Sequence, residues 1–192
     1  MLREAGRLAL CLGRLGEAIE LYRRALEQDP LSTASYHNLG SALQAMDRLE
    51  EAEAAYRKVL ELAPQRVGTR GLLSLTLLAL GRGDEALAEA GREPEEAFGL
   101  WALAIVHHGL GHAAESDAAL EELIEKYSED AAYQIAEVYA VRGEADRAFE
   151  WLERAYTQND PGLTETKDDR RLRSLHGDPR WGAFLKKMGL ED

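Results

Sequence analysis

The chain has one cysteine, five prolines, three phenylalanines and no long apolar run in its 192 residues. A single thiol, Cys11, excludes an internal disulfide framework and a thiolate zinc cluster, and it is expected to be a buried, inert side chain. No stretch approaches the roughly 18 uninterrupted apolar residues of a membrane span. The N-terminus "MLREAGRLALCLGRLGEAIE" is broken by charges too often for a secretory signal. These features set a cytoplasmic location as the expectation. Basic residues are also scarce: 23 Lys and Arg against 35 Asp and Glu give a net charge of −12. Phosphate affinity comes from clustered cations, so no nucleic acid is expected as a partner. The one basic stretch, residues 167–187, carries seven Lys/Arg against three Asp and reads as a solvated helix surface. What the chain has in abundance is Ala and Leu, the vocabulary of helix rather than strand.

Two segments, "GRLGEAIELYRRALEQDP" (13–30) and "DRLEEAEAAYRKVLELAP" (47–64), repeat each other at an offset of 34 residues. Ala18 matches Ala52, Tyr22 matches Tyr56, Ala25 matches Val59 and Pro30 matches Pro64. Upstream, Ala5-Gly6 matches Leu39-Gly40, with Tyr36 three residues before Leu39. Small residues let two helices approach closely, the tyrosines fill the space between neighbours, and proline stands where a helix must end. In this pattern the sequence resembles the tetratricopeptide repeat (TPR) family, whose repeat reads W-x2-L-G-x2-Y, then A-x3-F and a closing P. A third repeat carries Leu73, Leu77, Ala86 and Ala90 in frame. There "EPEEA" (93–97) arrives about four residues early, so its second helix is expected to be short, near 84–92. A fourth and a fifth follow 32 residues apart, matching Leu103-Ala104 with Ile135-Ala136, Gly111 with Gly143 and Leu120 with Leu152.

The resemblance implies an all-α, right-handed helical-repeat solenoid of about five helix pairs, with repeats near 1–32, 33–66, 67–96, 97–128 and 129–161. Residues 162–192 are read as a C-terminal capping segment, with a helix over 178–190. Asp178 is its expected N-cap, Pro179 its first residue, and Trp181, Phe184, Leu185 and Met188 its apolar stripe, ended by Gly189. The tail also resembles the ending of TPR regions in bacterial signalling proteins. Residue 1 falls just inside the expected first helix, so the chain is read as the C-terminal piece of a longer protein.

Three of the five histidines lie in "HHGLGHAAESDAAL" (107–120). Gly109 and Gly111 are expected to end a helix there, placing His112 in a turn, off the face of His108. No metal site is expected. His107 matches Tyr139 and is expected to be a packing residue. Arg82-Gly83-Asp84 reads as a turn in which glycine ends one helix and Asp84 caps the next. The carboxylate clusters "EQD", "EPEE" and "LEEL" read as solvated charge. No phosphate loop or nucleophile elbow is present, so no catalytic residue, no cofactor and no enzymatic activity are expected.

In TPR proteins the first helices of successive repeats line a concave face that binds ligand segments. By repeat phase, the resemblance puts Arg3, Arg7, His37, Asn38, Ser41, Leu72, Leu75, Trp101, Ile105, His108, Tyr133 and Glu137 on that face. Asn38, and Arg3 in place of a lysine, fit the clamp that holds chaperone C-termini. Arg7 stands where an Asn is wanted, and Gly68 and Leu72 stand where cations are wanted, so that ligand is not expected. The expected function is a protein–protein interaction scaffold that binds a protein or peptide partner in an apolar groove. The alternative is a regulatory or self-associating module, a homo-oligomer, of a larger bacterial signalling enzyme or transcriptional regulator.

Overall fold

The computed structural model describes residues 1–190, and the described residues form helices without a strand. In order these are α1 (Leu2–Cys11), α2 (Leu15–Gln28), α3 (Thr33–Ala45), α4 (Leu49–Leu62), α5 (Thr69–Ala79), α6 (Gly83–Ala90), α7 (Glu96–Gly109), α8 (Ala113–Tyr127), α9 (Ala132–Val141), α10 (Ala145–Gln158) and α11 (Pro179–Lys187). Between α10 and α11 run two 3-10 segments, Pro161–Asp168 and Arg170–Leu175. Helices pair consecutively, and each pair stacks on the next, with α1, α3, α5, α7 and α9 on the inside.

Each pair forms for the reason its sequence suggests. α2 buries Ala18, Ile19, Tyr22 and Ala25, and α4 buries Ala52, Ala55, Tyr56 and Val59, one face of a 3.6-residue period. The turn inside each pair needs one left-handed residue. Gly13, Gly81, Gly111 and Gly143 supply it in four pairs, with φ of +74° to +79°. In the second pair the position falls to Asp47, at φ +57°, a residue type that tolerates that region better than most.

Close helix approach fixes the small residues. A Cβ on Gly40 would stand 2.6 Å from Cε1 of Tyr56, whose ring is fully buried and has no room to retreat. Gly40→Ala is therefore expected to lower stability by about 1–3 kcal/mol through overpacking, more than the ~1 kcal/mol alanine gains in a helix. The same change at Gly182, in α11 with open space around it, should raise stability by about 0.5–1 kcal/mol. Thermal denaturation of the two variants checks the opposite signs.

The third pair differs. α6 has 8 residues where α2 and α4 have 14, near the expected span. The chain that would have continued it turns inward, and the Glu93 carboxylate accepts the backbone N–H groups of Gly68 at 2.8 Å and Gly71 at 3.1 Å. Glu93 thus closes the N-terminus of α5, where a negative charge is favoured. The reading of "EPEE" as solvated charge is corrected at this residue. Asp84 is a second correction: Gly81 ends α5, α6 starts at Gly83, and Asp84 lies within its first turn instead of capping it. Cys11 is half-buried, not fully buried, and burial pushes its thiol pKa up.

Past the repeats, α11 starts at Pro179, with Asp178 accepting from the Arg180 backbone N–H at 2.9 Å. Gly189 has φ +72°, and the Leu190 N–H donates to the Leu185 carbonyl at 2.9 Å. Trp181 and Phe184 are buried. Arg180 pairs with Asp146 at 2.8 Å and stacks over Phe149, while Lys187 pairs with Glu153 and sits over Tyr156. These contacts hold α11 against α10.

Candidate functional site

The concave side of the stack is not empty. Asn159, in the left-handed region, turns the chain out of α10. The Asp160 carboxylate then accepts the backbone N–H groups of Tyr133 at 3.0 Å and Gly162 at 2.8 Å. The first 3-10 segment crosses the inner helices to α1, where Asp168 reaches the Gly13 turn. The second returns along the C-terminal ends of the inner helices. There Arg170 pairs with Asp47 at 2.7 Å, Arg173 with Asp47 at 2.6 Å, and Ser174 Oγ donates to the Ala140 carbonyl at 2.7 Å. Residues 160–175 therefore form a strap across the groove.

At its middle sits a buried polar cluster. Arg171 Nε donates to Glu137 Oε1 at 2.7 Å and lies 2.8 Å from Asp169 Oδ1. The Tyr133 hydroxyl donates to Asp169 Oδ2 at 2.8 Å. The Arg171 guanidinium lies over the Trp101 ring, 5.3 Å from its centroid, a cation–π arrangement. Glu137 is 2% exposed and Asp169 5%. Burial, which the attraction of Arg171 only partly offsets, and the adjacent Asp169 carboxylate hold the Glu137 pKa well above the usual carboxylate range. For Asp169 burial pushes upward, but Arg171 and the hydrogen bonds it accepts outweigh that and hold it low. Burial thus disfavours the charged form of Glu137 beside the Asp169–Arg171 ion pair. The basic stretch is corrected accordingly: Arg170, Arg171 and Arg173 are not a solvated helix surface but the strap's attachments.

Beside the strap, at the N-terminal ends of α5, α7 and α9, a cleft of about 670 Å³ stays open. Leu72, Phe98, Trp101, Tyr133 and His37 supply its aromatic and aliphatic lining, and Glu95, Asp130 and Glu165 its exposed acidic rim. Phe98 and Trp101 meet edge to face at 6.1 Å. His37 hydrogen-bonds Thr69 through Nδ1 at 3.0 Å, and burial, with Arg66 nearby, pushes its pKa down to about 4. It is a neutral wall at physiological pH.

The structure brings five of the twelve expected groove residues together at this cleft: His37, Leu72, Trp101, Tyr133 and Glu137. Leu75 and Ile105 are buried and line a smaller cavity of about 190 Å³ under Arg170 and Arg171. Ser41 accepts from the Tyr56 hydroxyl at 3.4 Å, and Asn38 is half-buried beside it on α3. Arg3 and Arg7 are exposed and paired with Glu4, and His108 is exposed at the end of α7, away from the cleft lining. His112 lies at the N-cap of α8, and its Nδ1 is 3.3 Å from that of the half-buried His107. No group of three or more His, Cys, Asp or Glu able to hold a metal occurs among the described residues. Sequence reasoning missed Phe98 and all the strap residues. The one local signal was Asp47, an aspartate where the other turns carry glycine.

Stacked helix pairs around a partly filled concave groove define a helical-repeat interaction scaffold. The chain belongs to the tetratricopeptide repeat family. Models of the tetratricopeptide repeat match residues 33–66, 67–92 and 102–163, and a TPR repeat model matches residues 6–47. Members of this family are typically scaffolds for protein–protein interaction. Among solved structures, the chain is similar to TTC0263, a thermophilic TPR protein of Thermus thermophilus, with TM-score 0.67 and 20% identity over 96% of this chain and 97% of that one. It is also similar to YrrB, a TPR protein with an unusual peptide-binding site (TM-score 0.54, 20% identity, 85% and 88% covered), and to MamA (0.57, 19%, 80% and 94%). At these identities the likeness is one of fold. No curated protein sequence matches the chain. No helix among the described residues is long and apolar enough to cross a membrane.

Proposed function

We propose that the protein is a scaffold that holds an extended protein segment in the open cleft of its concave face, and that this segment carries basic and apolar side chains. One observation carries the reading: a cleft of about 670 Å³ with an aromatic floor and exposed carboxylates at its rim. Aromatic side chains offer large contact area at low entropy cost, and the carboxylates favour a cationic partner. YrrB's peptide-binding site is a precedent in the same fold. The protein performs no chemistry of its own and works in the cytoplasm, and α11 acts as its C-terminal cap.

Selection of a phage-displayed peptide library on the full chain tests the proposal. Enriched peptides should combine Lys or Arg with aromatic or aliphatic residues. Their affinity should fall about tenfold, or about 1.4 kcal/mol, in Phe98→Ala, with helicity unchanged by circular dichroism. Peptides that bind Phe98→Ala and a Glu95→Gln, Asp130→Asn variant undiminished would remove the cleft from the reading.

A second reading, self-association as a regulatory module, is favoured by one other feature. Leu8 on α1 and Leu12 directly after it are 61% and 42% exposed, an apolar surface that a repeat stack ordinarily covers. Sedimentation equilibrium should show a dimer that Leu8→Arg dissolves; a monomer at all concentrations would exclude it.

A further inference from the structure

The strap is held as a peptide ligand is held. Among the described residues, no backbone–backbone hydrogen bond joins residues 161–175 to the repeats. The attachments are made by side chains: Asp169 to Tyr133, Arg171 to Glu137 and Trp101, and Arg170 and Arg173 to Asp47. Leu172 and Leu175 are buried as apolar anchors. The seat is also imperfect. Trp101 Nε1 and Thr166 Oγ1 are buried in it without a hydrogen-bond partner, and each such orphan weakens the docked state. The Asp47 latch is exposed on both sides, with side-chain exposures of 50% for Asp47 and 38% and 40% for the arginines, so water and salt screen it.

We propose that residues 160–175 are a cis-bound ligand. The partner that takes their place is a protein segment of the same chemistry: an aspartate, an arginine two residues later, and a leucine directly after it. The aspartate would accept from Tyr133, the arginine would stack on Trp101 and pair with Glu137, and the leucine would fill the site of Leu172. Tethering gives the strap a high effective concentration, so it sets the affinity a competitor must exceed, and loosening the Asp47 latch lowers that threshold. This inference does not depend on the open cleft having a ligand of its own.

The test uses the full chain and a fluorescein-labelled synthetic peptide of residues 159–176, NDPGLTETKDDRRLRSLH. The full-length variant Arg170→Ser with Arg173→Ser frees its own strap while leaving Asp47 to meet the peptide. Fluorescence anisotropy should show this variant binding the peptide at least tenfold more tightly than the unaltered chain does. A peptide with alanine in place of its second arginine, the counterpart of Arg171, should bind at least tenfold more weakly. Equal affinity for the unaltered chain and the variant, or equal affinity of the two peptides, would overturn the proposal. The single variant Arg173→Ser, which also leaves Asp47 to meet the peptide, is read the same way and guards against misfolding of the double variant.

Discussion

A chain ending at Gly177 is expected to melt about 6–24 °C lower than the full chain, or to aggregate. The truncation removes Trp181, 7% exposed, and Phe184, 3% exposed. It also uncovers Phe149 and Tyr156 and removes the stacking partner of His176. Burying one large apolar side chain is worth about 1.5–3 kcal/mol, so two account for roughly 3–6 kcal/mol of a typical 5–15 kcal/mol total. For a domain of this size each kcal/mol moves the melting point by about 2–4 °C. Calorimetry and sedimentation velocity check the outcome. A truncated chain that stays monomeric with an unchanged melting curve would show that α11 does not cap the repeats.

The contribution of Glu137 to stability is expected to fall as pH rises above about 5. Its folded pKa lies well above its unfolded value of 4.5 because burial and Asp169 outweigh the attraction of Arg171. Between those two values the folded state holds a proton that the unfolded state has released, so raising the pH favours unfolding, by at most about 1.4 kcal/mol per pH unit for one proton. The groups facing it are Arg171, Asp169, Tyr133 and Glu165. Asp169 acts in a lower window, since its folded pKa is held below 3.8, and its contribution is lost only as pH falls through that range. His37, with a folded pKa of about 4 against 6.5 unfolded, destabilises as pH falls from 6.5 toward 4 and so opposes Glu137 there. Glu137→Gln isolates the effect, because an amide imitates the neutral acid toward both Asp169 and Arg171. The variant should match the unaltered chain at pH 4.5 and exceed it in stability at pH 8. Parallel urea titrations across this range give the difference directly. Equal pH profiles would mean that Glu137 ionises freely in the fold.

The repeats were legible because everything that makes them is local. Gly40 against Tyr56, Ala18 beside Tyr22, and a left-handed residue at each turn recur within about 34 positions. Helix pairing demands the same small and large residues in every repeat. The start of α11 was legible for the same reason, since an Asp-Pro pair before a Trp181–Phe184 stripe carries its own cap and its own face. The face of the inner helices could also be read by phase, which is how Trp101, Tyr133 and Glu137 came together.

What covers that face could not be read. Arg171 meets Glu137 across 34 positions, and Arg173 meets Asp47 across 126. In the sequence "DDRRLR" is only a run of charge without a periodic apolar face. Asp47 is only an aspartate in a turn, and nothing in either marks them as partners. By itself the sequence determined the repeat and its length, since short-range packing and turn conformation dictate these residue by residue. The tertiary structure alone decided that the chain returns through its own groove, leaving one cleft open. That pairing arises only when the stacked repeats bring the ends of α1, α3 and α9 to the same side as the strap's arginines.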